Sequence, residues 1–102
     1  MELFNKLVRD KIPQIIREQG EMPYTRILEQ DEYTAHLEAK LDEEVREFHG
    51  DKNLGELADI LEVVYALAEN LGHTRQELVE IYTRKHEKRG GFQDRVYLIS
   101  KE

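Results

Sequence analysis

Residues 54–67 constrain the fold more than any other segment, because they are apolar around most of a helical circumference. They read Leu-Gly-Glu-Leu-Ala-Asp-Ile-Leu-Glu-Val-Val-Tyr-Ala-Leu. A helix that is apolar on nearly all sides is expected at the centre of a bundle rather than at its edge. A chain of 102 residues supplies only short companions to cover it. The segment therefore predicts an all-α fold, a small helical bundle that is completed by forming a homodimer or homotetramer.

Start and stop signals divide the rest of the chain into helices. The sequence contains only two prolines and six glycines, so long regular elements are allowed. No repeat or linker interrupts residues 1–102, which predicts a single domain. Four helices are expected, from Pro13 to near Gly20, from Asp31 to near Gly50, from Leu54 to near Gly72 and from Thr74 to Gly90. Asp31 is the expected N-cap of the second helix, and Thr74 forms a capping box with Glu77 in the fourth. Two stretches, Tyr24–Leu28 and the C-terminal tail Val96–Ile99, have β character and are expected to be extended and to pair.

Composition excludes several classes of function. The net charge of −7 argues against a surface that binds a nucleic-acid polymer, although small phosphorylated ligands stay possible if a divalent cation bridges them. The chain has no cysteine, which excludes disulfides, thiol nucleophiles and Cys-ligated zinc. The first residues lack an apolar signal core and no apolar run approaches membrane-spanning length. We therefore expect a cytoplasmic protein without a membrane partner.

One carboxylate falls on the apolar side of the first long helix. At about 100° per residue, the apolar stripe that contains Tyr33 and Leu37 spans roughly 120°, and Glu44 lies at about 20° from Tyr33, inside it. Glu47 lies at the margin of the stripe, one turn further on, and Glu43 points away toward solvent. An ionised carboxylate on a buried stripe is unfavourable unless it is paired or coordinates a metal. The position of Glu44 therefore needs a functional or structural partner.

The second long helix carries a matching pair of carboxylates, Glu56 and Asp59, three residues apart on the side that Val63 continues. Only a few residues separate the two helices, so they are expected to pack as an antiparallel hairpin with both pairs near its turn. Converging carboxylate oxygens without His or Cys favour Mg²⁺, with Mn²⁺ also possible, over zinc. Each pair alone is common on solvated helix faces, and the combination on consecutive apolar faces predicts a metal site.

These residues resemble a known signature. Lys40–Glu47 followed by Glu56–Leu61 is similar to the E-x-x-E and E-x-x-D motifs of the MazG-like nucleotide pyrophosphohydrolases, an all-α superfamily that includes phosphoribosyl-ATP pyrophosphohydrolases and dimeric dUTPases. Lys6–Pro13 is similar to a stretch in a small single-domain branch of it. The resemblance implies hydrolysis of a nucleoside triphosphate, or a related nucleotide, to the monophosphate and pyrophosphate. It also implies that Mg²⁺ is held by Glu44, Glu47, Glu56 and Asp59.

Cationic side chains are expected to complete the site by binding phosphate. Two groups qualify, although basic residues at a helix end also complement the helix dipole, and an exposed basic segment is common. The four histidines show no metal-ligand spacing and are expected at the surface. The alternative to an enzyme is a non-catalytic helical interaction module with an acidic, cation-binding cluster. The candidate phosphate-binding residues are Lys85, Lys88 and Arg89 before Gly90, and Lys6, Arg9 and Lys11 near the start.

Overall fold

Four α-helices account for the regular structure in the computed structural model, which describes residues 2–102. They are α1 (Ile12–Glu18), α2 (Gln30–Asp51), α3 (Leu54–Asn70) and α4 (Arg75–Arg89). The predicted all-α class is confirmed. None of the four helices is long and apolar enough to cross a membrane.

The antiparallel hairpin of α2 and α3 is the structural centre, as predicted. Its connection contains only Lys52 and Asn53. Lys52 adopts the left-handed conformation at φ 45°, which ends α2, and the Asn53 side chain accepts a hydrogen bond of 2.9 Å from the backbone N–H of Glu56. At the opposite end of the hairpin, Gln30 at the start of α2 donates to Asn70 at the end of α3 at 2.7 Å. The two helices are thus joined by polar contacts at both ends.

The helix boundaries agree with the sequence signals with one clear exception. The N-cap of α2 is Glu29, not the predicted Asp31, which lies in the first helical turn. The helix starts earlier because the backbone N–H of Glu29 donates to the Glu32 carboxylate at 3.2 Å, closing the first turn. The predicted capping box of α4 is confirmed, because Thr74 accepts from the Glu77 N–H at 3.1 Å while Glu77 accepts from the Thr74 N–H at 2.9 Å.

The predicted strand pair does not form, and residues 2–102 contain no strand. Ile27 is 93% exposed and Ile99 is 89% exposed, so neither stretch is packed against another element. An isolated pair of short strands is marginally stable in water unless further structure covers one face. The sequence pattern indicated β propensity correctly as a local preference, but the fold provides no surface against which these two stretches can pair.

The fold of the single chain is extended rather than compact. Its radius of gyration is 17.9 Å, whereas a compact domain of this length has a value of about 13 Å. No Cα atom of α1 lies within 8 Å of a Cα atom of another helix, and α4 approaches α3 but not α2. The buried apolar residues are Leu37 on α2 and Val63 and Ala68 on α3. The interior of one chain is therefore confined to the α2–α3 hairpin.

Because this interior is so small, truncating its most buried side chain should be severe. Leu37 is 3% exposed, and we expect Leu37→Ala to lower the free energy of unfolding by about 2–5 kcal/mol. Leu3→Ala is the matched control, because Leu3 is 74% exposed and its truncation should change stability by less than about 0.5 kcal/mol. Urea unfolding followed by circular dichroism measures both. Equal losses in the two variants would contradict the assignment of the core to the hairpin.

Candidate metal centre

Glu44 is buried at the interface of α2 and α3, as its position on the apolar stripe predicted. Only 7% of the residue is exposed. Leu37 is the other buried residue of α2. Its Oε2 atom has no hydrogen-bond partner in the described part of the chain. A buried carboxylate oxygen without a partner is unfavourable, so this atom needs a partner that the described residues do not supply, such as a proton, a water molecule or a cation.

The carboxylates of Glu56 and Asp59 on α3 complete a triad with Glu44. One oxygen from each of the three residues lies within 4.8 Å of the others. The Asn53 cap holds Glu56 in the first turn of α3 by accepting a hydrogen bond from its backbone N–H. Gly55 leaves room for that cap, because a Cβ atom at this position would lie 3.2 Å from the Asn53 side-chain oxygen. The Oε2 atom of Glu56 also lacks a hydrogen-bond partner among residues 2–102. The two-residue connection thus brings hard oxygen ligands from both helices to one point.

Glu47 lies beside the triad rather than within it. It is exposed, and it forms a second group of converging carboxylates with Glu43 and Glu44, also within 4.8 Å. The prediction that Glu43 points to solvent is wrong in part, since Glu43 is half-buried. The reason is Lys40, whose ammonium group lies 3.4 Å from the Glu43 carboxylate and draws this long side chain back along the helix. Glu43 is therefore not a suitable control position for substitutions at Glu44.

Two cations contact the triad, one at Glu44 on α2 and the other at Asp59 on α3. Lys40, whose side chain is only 16% exposed, lies 3.6 Å from the Glu44 carboxylate. Arg9, from the segment before α1, lies 3.4 Å from Asp59 and 3.0 Å from Glu62. Lys40 is not among the predicted cations, although its spacing of four residues from Glu44 on one helix is a recognisable signal.

The remaining predicted basic residues do not reach the carboxylates. Lys85, Lys88 and Arg89 are exposed in the last turns of α4 and form no ion pair with any residue of 2–102. Lys6 lies over the ring of Phe4, 5.8 Å from its centroid, and Lys11 is exposed at the start of α1. Among these six residues, the described structure joins Arg9 to the cluster. The role of the other five in phosphate binding stays a prediction.

The electrostatics of the triad favour binding of a positive charge. Burial raises the pKa of Glu44 above its ordinary value of 4.5, and the nearby charge of Glu47 raises it further, while Lys40 opposes both effects. Burial also raises the pKa of Glu56, with additional repulsion from Glu47 and Asp51. The folded protein therefore holds these carboxylates in a place that disfavours their negative charge. A divalent cation bound by them relieves that repulsion directly.

The histidines take no part in this cluster. His49, His73 and His86 are exposed as expected, and His36 is half-buried. His73 lies 3.4 Å from Glu77, an ordinary pair one helical turn apart. The candidate ligands are thus carboxylate oxygens alone, a donor set that suits Mg²⁺ or Mn²⁺.

Comparison with known proteins adds one relative. A stretch of 42 residues is 60% identical to part of a Mycolicibacterium smegmatis protein described as uncharacterized. The stretch covers 41% of this chain and 43% of the relative, so the chain spans less than half of the length of the protein it matches. No protein-family model matches the sequence. No solved structure shows a significant match.

The raised pKa of Glu44 leads to a prediction for the metal-free protein. The unfolded chain releases this proton near pH 4.5 and the folded chain only at a higher pH, so folding is penalised as pH rises through that window. Glu44→Gln removes the penalty and should raise the metal-free melting temperature at pH 7 by roughly a few degrees. The advantage should shrink as pH falls toward 4, where the unfolded and folded parent are both protonated at this position.

Differential scanning calorimetry in the presence of a chelator measures this difference between parent and variant. Taking the difference cancels groups with opposite behaviour, such as Glu32, whose pKa is lowered to about 2 mainly by its hydrogen bond with Arg26. A variant that melts below the parent at pH 7 would mean that the Glu44 carboxylate stabilises the metal-free fold, contrary to its assignment as a ligand.

Proposed function

We propose that this protein is a Mg²⁺-dependent nucleotide pyrophosphohydrolase, which converts a nucleoside triphosphate or related nucleotide to the monophosphate and pyrophosphate. One observation carries the proposal. The buried Glu44 oxygen without a hydrogen-bond partner lies in a triad with Glu56 and Asp59, on two helices that meet at a two-residue turn. A structural role alone gives no reason to place two further carboxylates beside a buried carboxylate that has an unpartnered oxygen.

The chemistry of phosphoryl transfer suits this arrangement. A divalent cation supplies charge neutralisation at the phosphates and a link between the substrate and an acidic site. Glu44, Glu56 and Asp59 would hold that cation, and Glu47 lies beside them with its side chain exposed to water. A carboxylate of the cluster orients the attacking water or accepts its proton. Water adds to the α-phosphorus, the bond to the bridging oxygen breaks, and pyrophosphate leaves. The resemblance to the MazG-like signature agrees with this reaction.

The active form in this proposal is a homo-oligomer. One chain exposes 9540 Å², whereas a compact protein of 12.1 kDa exposes roughly 6,000 Å². The difference is roughly 3,500 Å² per chain, or roughly 7,000 Å² over two chains, and obligate dimers bury about 2,000–5,000 Å² or more over both partners. The exposed area of one chain is therefore more than sufficient for an obligate interface. Apolar residues occupy the side of α3 that α2 leaves uncovered, with Leu54, Leu57 and Leu61 exposed by 82%, 44% and 49%. A second copy of the chain that packs on this stripe would complete the bundle around the apolar helix.

The reaction is tested with a panel of canonical and modified nucleotides in the presence of Mg²⁺. We expect pyrophosphate and a nucleoside monophosphate as the first products from at least one nucleotide, separated by anion-exchange chromatography. Orthophosphate as the sole first product would exclude cleavage between the α and β phosphates. Mg²⁺ binding without any product across the panel would favour the alternative, a non-catalytic interaction module.

Variants of the triad separate metal ligands from nearby charges. Glu44→Gln and Asp59→Asn should each reduce turnover by more than the roughly 10–100-fold loss typical of changes just outside a metal's ligand shell. Asp42→Asn is the matched control, because Asp42 is exposed, two residues before Glu44, and forms no ion pair with residues 2–102. Its turnover should stay close to that of the parent. Equal losses at positions 42 and 44 would contradict the assigned ligand set.

Assembly gives an independent prediction. Light scattering at micromolar concentration should give at least twice the chain mass of 12.1 kDa. Leu61→Glu places a charge in the exposed stripe of α3 and should reduce that mass, because desolvating an unpaired carboxylate in an interface is unfavourable. Leu3→Glu, at an exposed site before α1, is the control and should leave the mass unchanged. A monomeric parent protein would contradict the proposed oligomer but would not affect the result of the pyrophosphate-release assay.

A further inference from the structure

Arg9 is the long-range connection between the N-terminal segment and the carboxylate triad. Its two terminal nitrogens contact different residues of α3, one at 3.4 Å from Asp59 and the other at 3.0 Å from Glu62. The backbone carbonyl of Arg9 accepts from the N–H of Ile12 at 3.0 Å, at the start of α1. The guanidinium thus occupies one flank of the triad by contacting a predicted metal ligand.

The ion pairs of Arg9 contribute little to the stability of the fold. Arg9 and its two partners have half-exposed side chains, at 55% for Arg9, 39% for Asp59 and 48% for Glu62. Ion pairs with this exposure contribute little to stability, because solvent screens them. No Cα atom of α1, which follows Arg9, lies within 8 Å of a Cα atom of another helix, so close backbone packing does not hold this segment in place.

The other cations near the triad are less free to move. Lys40 contacts Glu44, but its side chain is mostly buried, and its ammonium group lies 3.4 Å from Glu43 and 3.6 Å from Glu44 on the same helix. Arg75 lies 3.9 Å from Glu62 and stacks over the ring of Tyr65 at 3.9 Å from the ring centroid. The aromatic contact and the ion pair both hold this guanidinium along α3, one turn beyond the position of Arg9.

We propose that Arg9 is an exchangeable counter-ion, which neutralises Asp59 in the metal-free protein and binds a phosphate group of the ligand once a divalent cation has taken its place. The inference rests on the proposed function and specifies how its acidic site accepts a phosphate. A divalent cation at the triad competes with the guanidinium for Asp59 and repels it. Glu62, at 3.0 Å, keeps Arg9 within one helical turn of the triad after Asp59 is released. The planar guanidinium then offers paired donors, which match phosphate oxygens.

The exchange predicts opposite effects on two affinities. In Arg9→Gln the competing charge is gone, so Mn²⁺ should bind roughly fivefold more tightly by a Coulomb estimate in a solvent-like medium. The same variant should bind inorganic pyrophosphate, at saturating Mn²⁺, roughly tenfold more weakly because a charge-assisted contact is lost. A residue with only a structural role would weaken both affinities together.

Isothermal titration calorimetry of the full chain measures both, first with Mn²⁺ alone and then with pyrophosphate in the presence of Mn²⁺. Arg17→Gln is the matched control, because Arg17 is an exposed arginine of α1 that forms no ion pair in the described chain, and both affinities should equal those of the parent. Arg9→Lys keeps the charge but not the paired donors. It should retain the parent's Mn²⁺ affinity and bind pyrophosphate with an intermediate affinity, and it also serves if Arg9→Gln does not fold.

The outcomes separate this inference from the proposed function. A parent protein that binds no Mn²⁺ would overturn the metal centre and the exchange together. A parent that binds Mn²⁺ and releases pyrophosphate from a nucleotide, while Arg9→Gln leaves Mn²⁺ affinity unchanged or lowers both affinities, would overturn the exchange alone. A rise in Mn²⁺ affinity for Arg9→Lys equal to that for Arg9→Gln would also overturn it, because the charge would then play no part.

Discussion

The burial of one carboxylate between two helices is the constraint around which the rest of the site is arranged. Glu44 lies on the apolar stripe of α2 that also contains Leu37, where a charge without a partner is unfavourable. Lys40 compensates for part of this charge along the same helix. The facing carboxylates of Glu56 and Asp59 have the opposite effect, because they add repulsion. This excess of negative charge at a partly buried position distinguishes the proposed cation site from an ordinary charged helix surface.

The features that sequence could predict are those that depend on local periodicity. The phase of a helix relates Glu44 to Tyr33 and Leu37 without any knowledge of tertiary structure, and the burial of Glu44 followed from it. The short connection between α2 and α3 requires a hairpin, so the meeting of the two carboxylate pairs was also predictable. The cap of α4 by Thr74 is a local contact of the same kind.

What the sequence could not predict involves long side chains or distant partners. Arg9 and Asp59 are separated by 50 residues, and no periodicity connects them. Helical phase predicted that Glu43 faces solvent, but its side chain is half-buried and its carboxylate lies 3.4 Å from the ammonium group of Lys40. The β character of Val96–Ile99 is a real local preference, which needs a receiving surface that a single chain does not present. These differences share one cause, since each depends on which surfaces come together in three dimensions.

The short turn between α2 and α3 also constrains which ion the proposed metal centre would accept. Lys52 and Asn53 leave no slack, so Glu44 and Glu56 cannot separate without moving two helices that are tied together again at Gln30 and Asn70. Ca²⁺ prefers six to eight oxygens at about 2.3–2.6 Å, whereas Mg²⁺ takes an octahedral shell at about 2.0–2.1 Å and retains several waters. In the proposed metal centre, three carboxylates would leave several coordination positions to water, which suits Mg²⁺ better than Ca²⁺. Selectivity between the two metals would then depend on how few ligands the two-residue turn brings together, at a distance from the atoms that touch the ion.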